Sequence, residues 1–153
     1  MLRCGGSVEW SSGTRITDYN ALPAHSPRHI KIMTIDGTDS CIMEHGFQHL
    51  RGLTELVKII LVNNKYLTDD SVEILVNTTK DRLRYLHLAS NGNITDQGLS
   101  HLKRLKKIEY LQLENLGELK RPQETLNDLI SSLPNCTINF PPYTNTEDSN
   151  SED

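Results

Sequence analysis

The chain has 153 residues, 36% hydrophobic and 24% charged, with few aromatics and a formal net charge of −4. That length is expected to form one domain, and no run approaches the apolar length that spans a bilayer, so the chain reads as soluble. Its one dense basic run, Lys103, Arg104, Lys106 and Lys107, is not interleaved with aromatics and reads as a solvated helix face, so nucleic-acid binding has weak support and is not expected.

From the N-terminus, Met1 to Trp10 lacks the apolar stretch of a secretory signal. The segment 1–29, with the sole tryptophan and the Pro23/Pro27 pair, carries no repeat and is expected to cap the first repeat unit, since terminal units need a polar outer face. From residue 30 one pattern recurs. Leu56, Ile59, Leu61, Asn64, Leu67, Thr68 and Asp69 match Leu83, Leu86, Leu88, Asn91, Ile94, Thr95 and Asp96. A weaker copy precedes them as Ile30, Met33, Ile35 and Thr38, with an extra residue before Ile42. Another follows as Ile108, Leu111, Leu113 and Leu116, and a half-copy closes the series as Leu133, Cys136 and Ile138. Equivalent strand positions step by about 25 to 27 residues, a period of the leucine-rich repeat class. The expected fold is therefore α/β, a leucine-rich repeat solenoid over 30–140 with an N-terminal capping segment.

Within each unit, alternation along the strand points Ile59 and Leu61, or Leu86 and Leu88, inward. The outward row, Thr34, Asp36, Ile60, Val62, His87, Ala89, Gln112 and Glu114, should line a concave face. Ile60 and Val62 are apolar where water is expected, which makes Ile60, Val62, His87 and Gln112 the candidate partner-binding residues. Asn64 and Asn91 stand where the chain leaves the strand and are expected to satisfy unpaired backbone groups. Thr68 and Thr95 precede helical runs as N-caps, with Asp69 and Asp96 favoured by the helix dipole. Leu126, Leu129, Ile130 and Leu133 mark a last helix from Pro122. Residues 141–153 begin at Pro141-Pro142 and carry Glu147, Asp148, Glu152 and Asp153, which read as a disordered acidic tail and leave the rest formally neutral.

Catalytic signals are weak. Cys4, Cys41 and Cys136 are odd in number, scattered and without Cys-x-x-Cys spacing, so neither zinc nor a disulfide framework is supported and a reducing compartment fits best. Asn77, Asn93 and Asn135 head glycosylation sequons that are without consequence lacking a secretory signal. Of six histidines, His45 and His49 are spaced i, i+4, but Glu44 precedes the pair instead of following His45 as a metalloprotease motif requires. His25, His29 and His101 fall in no pattern. With no phosphate loop and no nucleophile elbow, no enzyme is expected.

The irregular first copy carries a family resemblance. Leu2-Arg-Cys-Gly5, the Asp18-Tyr-Asn segment leading to Leu22-Pro23, and Ile35-Asp-Gly-Thr-Asp-Ser-Cys-Ile-Met43 resemble the mitochondrial ATP synthase coupling factor B family, also called subunit s. The likeness continues through Gly46-Phe47, Gly52-Leu53, Lys58-Ile59, Tyr66, Gly92-Asn-Ile-Thr-Asp96 and Ser132-Leu-Pro134. The distal membrane-arm assembly proteins of respiratory complex I are similar too. The resemblance implies a non-enzymatic protein peripheral to the mitochondrial inner membrane on its matrix side, bound to ATP synthase subunits and supporting coupled proton conduction, with a homo-oligomer compatible. An assembly factor for the complex I membrane arm, or a generic repeat adaptor, is the alternative. It also implies Mg²⁺ held by Gly5 and Thr38, positions able to offer the hard oxygens that Mg²⁺ takes. The family's pair of nearby thiols falls on Val62 and Asn64, which excludes a dithiol mechanism at those two sites. Family members carry a targeting segment ahead of Leu-Arg-Cys-Gly, whereas Arg3 and Arg15 around Glu9 make a poor presequence, so none is expected within these residues.

Overall fold

A computed structural model describes residues 1–22 and 31–141. The expectations placed on Pro23, His25, Pro27, His29, Ile30 and the acidic tail beyond Pro141 lie outside them. After a 3-10 turn at Leu2–Cys4 come β1 (Ser7–Trp10), β2 (Arg15–Ile16) and β3 (Ile32–Asp36). Next are α1 (Glu44–Phe47), β4 (Lys58–Val62), α2 (Asp69–Thr79), β5 (Tyr85–Ala89) and α3 (Asp96–His101). The chain closes with β6 (Tyr110–Glu114), α4 (Pro122–Ser132) and β7 (Thr137–Asn139).

The architecture corrects the expected leucine-rich repeat solenoid. The described residues form a mixed α/β fold around a seven-stranded, mostly parallel sheet of order β2-β1-β3-β4-β5-β6-β7, with four α-helices. The physical reason lies in the ends and in the helices. β1 pairs antiparallel with both β2 and β3, so the N-terminal segment enters the same sheet. The helical segments are unequal at 4, 11, 6 and 11 residues. Only the units of β4 and β5 share the full side-chain pattern, and a pattern repeated twice does not propagate into an array.

Alternation decides which side of the sheet is core. Ile59, Leu61, Leu86, Leu88, Leu111 and Leu113 are at most 1% exposed, and with Val72, Leu75 and Val76 of α2, Leu99 of α3 and Leu129 of α4 they form one hydrophobic cluster. Each fully buried leucine is worth about 1.5–3 kcal/mol relative to exposure. Val8 and Trp10 extend the core under β1.

Two asparagines tie the strand ends together inside that core. Asn64 and Asn91 are fully buried. Asn91 accepts the Asn64 N–H on Oδ1 at 2.9 Å and donates from Nδ2 to the Leu61 carbonyl at 2.9 Å. Asn64 accepts from Ser40 Oγ at 2.7 Å and donates to the Val62 carbonyl at 3.0 Å. The row ends at Leu116, buried but without polar atoms in its side chain. Asp69 and Asp96 do more than answer a helix dipole. Asp69 accepts from the Thr95 N–H at 2.8 Å and its hydroxyl at 2.6 Å, while Asp96 accepts from the Lys120 N–H at 2.8 Å and the Thr125 hydroxyl at 2.6 Å. Each carboxylate thus fastens the start of one helix to the start of the next. Burial raises the Asp96 pKa, but these hydrogen bonds and the Arg121 charge outweigh it and the net shift is downward.

Candidate functional site

In-register pairing arranges the non-core side chains of the strands in rows. Asp36, Ile60, His87, Gln112 and Asn139 are successive partners across β3 to β7. One step further along the strands stand Val62, Ala89 and Glu114. One step back stand Glu9, Thr34, Lys58, Tyr85, Tyr110 and Thr137. Ile60, His87 and Gln112 therefore share one row, and Val62 stands in the adjacent one. All four are half-buried, because row neighbours shield each other, and Ala89 is only 4% exposed.

The middle row is polar around an apolar centre. Gln112 accepts from Tyr110 Oη and from Asn139 Nδ2, both at 3.0 Å, and donates to Glu114. His87 Nε2 is buried and has no hydrogen-bond partner among the described residues. An unmatched imidazole nitrogen flanked by an aliphatic side chain and an amide can still gain a bond from a docking group.

Sequence reasoning missed the row beside it. The Tyr85 and Tyr110 rings stack with centroids 5.3 Å apart and planes 5° from parallel, and the Lys58 ammonium lies 4.7 Å from the Tyr85 centroid. Burial raises the Tyr85 phenol pKa, with Tyr110 and Glu114 adding to the shift. The signal was available, since Lys58, Tyr85 and Tyr110 each stand immediately before the inward Ile59, Leu86 and Leu111. At the β1 end, Arg15 pairs with Asp36 at 2.7 Å beside a cavity of about 70 Å³ bounded by Glu9, Thr34 and Lys58.

Gly5 and Thr38 lie on the two segments that touch where the N-terminal turn packs against the chain after β3. Gly5 has φ +91°, a conformation that favours glycine, and a Cβ there would stand 3.8 Å from the Asp39 carbonyl oxygen. The Cys41 N–H donates to the Cys4 carbonyl at 3.0 Å, fixing the two segments against each other. Thr38 donates to Asp36 Oδ1 from its N–H at 3.0 Å and from its hydroxyl at 2.7 Å. A hydroxyl that donates keeps its lone pairs, so Thr38 Oγ1 can still serve as a hard-oxygen ligand. Burial raises the Asp36 pKa, but the Thr38 hydrogen bonds and Arg15 outweigh it and leave the carboxyl below its ordinary value. Carbonyl and hydroxyl oxygens beside an ionised carboxylate are of the hard kind that Mg²⁺ takes.

The histidine pair finds no such setting. His45 lies in α1 with a side chain 82% exposed, 3.9 Å from Glu44, and His49 lies in the following 3-10 turn. Among the described residues, no group of three or more His, Cys, Asp or Glu side chains is placed to hold a metal.

No family model matches the chain. It is 35% identical over 141 residues to the protein named ATP synthase subunit s, mitochondrial, of Rattus norvegicus. It is 37% identical over 142 residues to the proteins of that name from Homo sapiens and Bos taurus. Each alignment covers 90% of this chain and 70% of the relative.

Proposed function

The chain belongs to the mitochondrial ATP synthase subunit s family, and from that premise we propose that it is a non-enzymatic accessory protein that docks on the ATP synthase at the matrix side of the inner membrane and supports coupled proton conduction. The observation that carries this reading is identity of 35–37% sustained over 90% of the chain. Among the described residues no helix is long and apolar enough to cross a membrane, which accords with a peripheral association. The docking surface is the open sheet face: Ile60 and Val62 supply apolar area, the Lys58–Tyr85–Tyr110 stack supplies rigid aromatic area, and His87 and Gln112 supply polar contacts. Side chains held by regular strands are positioned more precisely than loop residues.

In the same reading Gly5 and Thr38 hold Mg²⁺ and join the N-terminal turn to the segment after β3. The ion would supply charge across that junction, while the chain's own Thr38 hydroxyl and Asp36 carboxylate hold the turn in shape. Affinity capture of the tagged chain from solubilised mitochondria tests the docking. Recovery of intact ATP synthase, lost in a Val62→Glu variant with unchanged melting temperature, is the expected result. Exclusive recovery of complex I assembly intermediates would overturn it and transfer the chain to that machinery.

A further inference from the structure

Cys4 and Cys41 are 37 positions apart in sequence and adjacent in space. The Cys41 N–H donates to the Cys4 carbonyl at 3.0 Å, and the Cys41 Sγ lies 3.6 Å from that same oxygen. Standard backbone dimensions then hold the two Cα atoms to a separation of about 6.9 Å at most, and the bend at a hydrogen bond shortens it. That is inside the limit of about 7 Å beyond which a pair cannot be bridged without backbone movement. Both thiols are free, Cys41 exposed and Cys4 half-buried. Cys41 also opens onto a surface pocket of about 200 Å³ lined by Asp39, Ser40, Asn63, Lys65 and Tyr66, in which Lys65 offers a cation to an anionic visitor. The third thiol, Cys136, precedes β7 at the far edge of the sheet, where burial raises its pKa.

We propose that Cys41 is a modification site for small-molecule disulfides of the glutathione class, and that Cys4 resolves the adduct into an intramolecular Cys4–Cys41 disulfide. The Cys41 sulfur attacks one sulfur of glutathione disulfide, the S–S bond breaks, and one glutathione leaves with the Cys41 proton. The Cys4 sulfur then attacks the Cys41 sulfur, and the second glutathione leaves with the Cys4 proton. Two protein thiols are oxidised and one glutathione disulfide is reduced to two thiols, so no other oxidant is needed. Exposure sets the order, because an incoming disulfide reaches Cys41 while Cys4 is partly covered. The product fastens the N-terminal turn to the segment after β3 through a bond stronger than the single N–H···O contact now joining Cys41 to Cys4. This pair is separate from positions 62 and 64, and the proposal rests on the contact between the two cysteines and on their exposure, independent of docking.

The test treats the full chain with glutathione disulfide, blocks remaining thiols with a maleimide, and maps the digest by mass spectrometry. The expected result is a Cys4–Cys41 cross-linked peptide with Cys136 still alkylated. Cys4→Ser is expected to stop at a glutathione adduct on Cys41, and Cys41→Ser to leave Cys4 reduced under the same conditions. Circular dichroism melts establish that both variants are folded. A wild-type chain that keeps both thiols, that carries the adduct on Cys41 beside a free Cys4, or that cross-links through Cys136 overturns the proposal.

Discussion

Replacing Asn91 by alanine takes a buried amide away from two backbone groups at once. Its Oδ1 is the acceptor for the Asn64 N–H and its Nδ2 the donor to the Leu61 carbonyl, each at 2.9 Å. Asn64 and Asn91 are 0% exposed and Leu61 1%, so water cannot take over either bond. The orphaned Asn64 N–H costs about 1–3 kcal/mol, and the bond lost by the Leu61 carbonyl, which keeps its place in the β4–β5 ladder, adds about 1 kcal/mol. Against a typical total of about 5–15 kcal/mol, that is enough to leave the variant marginal. Asn93→Ala provides the contrast. Asn93 Nδ2 also donates to a backbone carbonyl, Lys65, at 2.7 Å, but the bond is exposed and water can replace it. Its expected cost is about 1 kcal/mol or less. Urea unfolding followed by circular dichroism measures both variants against the parent. The reasoning fails if Asn91→Ala loses no more stability than Asn93→Ala, since burial would then not be what makes the amide costly to remove.

A Cβ at Gly98 would stand 2.2 Å from Asp69 Oδ1 and 3.2 Å from the Asp69 Cα. Gly98→Ala is expected to break the Asp69 bonds to Thr95 and to destabilise by about 1–3 kcal/mol in the same unfolding assay. The Asp36 pKa is lower folded than unfolded, so the stability linked to it is present above the unfolded value and is lost as pH falls through the folded one. Melting temperature against pH should therefore drop in the acid range, and Arg15→Ala together with Thr38→Ala should flatten that drop; an unchanged profile would remove Asp36 as its source. Thr38→Ala should also weaken Mg²⁺ binding at least several-fold by calorimetry, and equal affinity in parent and variant removes Thr38 as a ligand. Tyr85→Ala is expected to weaken capture of ATP synthase more than Tyr110→Phe, which keeps the stacked ring.

Local patterning was legible in the sequence because side-chain alternation and buried amides obey short-range rules. Alternation points Ile59/Leu61 and Leu86/Leu88 inward, and the candidate row through Ile60, His87 and Gln112 follows from the same alternation. The Lys58–Tyr85–Tyr110 stack was equally periodic, but its cohesion comes from ring faces meeting across strands, a distance no single segment encodes. The solenoid expectation failed for a related reason: two well-matched units specify a strand and a helix, while the pairing of β1 with β3 and the unequal helices are settled by what covers each edge.

The sequence by itself determined the inward and outward faces of the strands, the buried asparagine positions and the family, since each depends on residue type at fixed spacing. Only the tertiary structure decided that Asp69 and Asp96 bridge successive helices, that β1 joins the sheet antiparallel between β2 and β3, and that Cys4 meets Cys41. The carboxylate and cysteine contacts join residues 24 to 37 positions apart, and the loops between them can close in many ways until a packed core selects one.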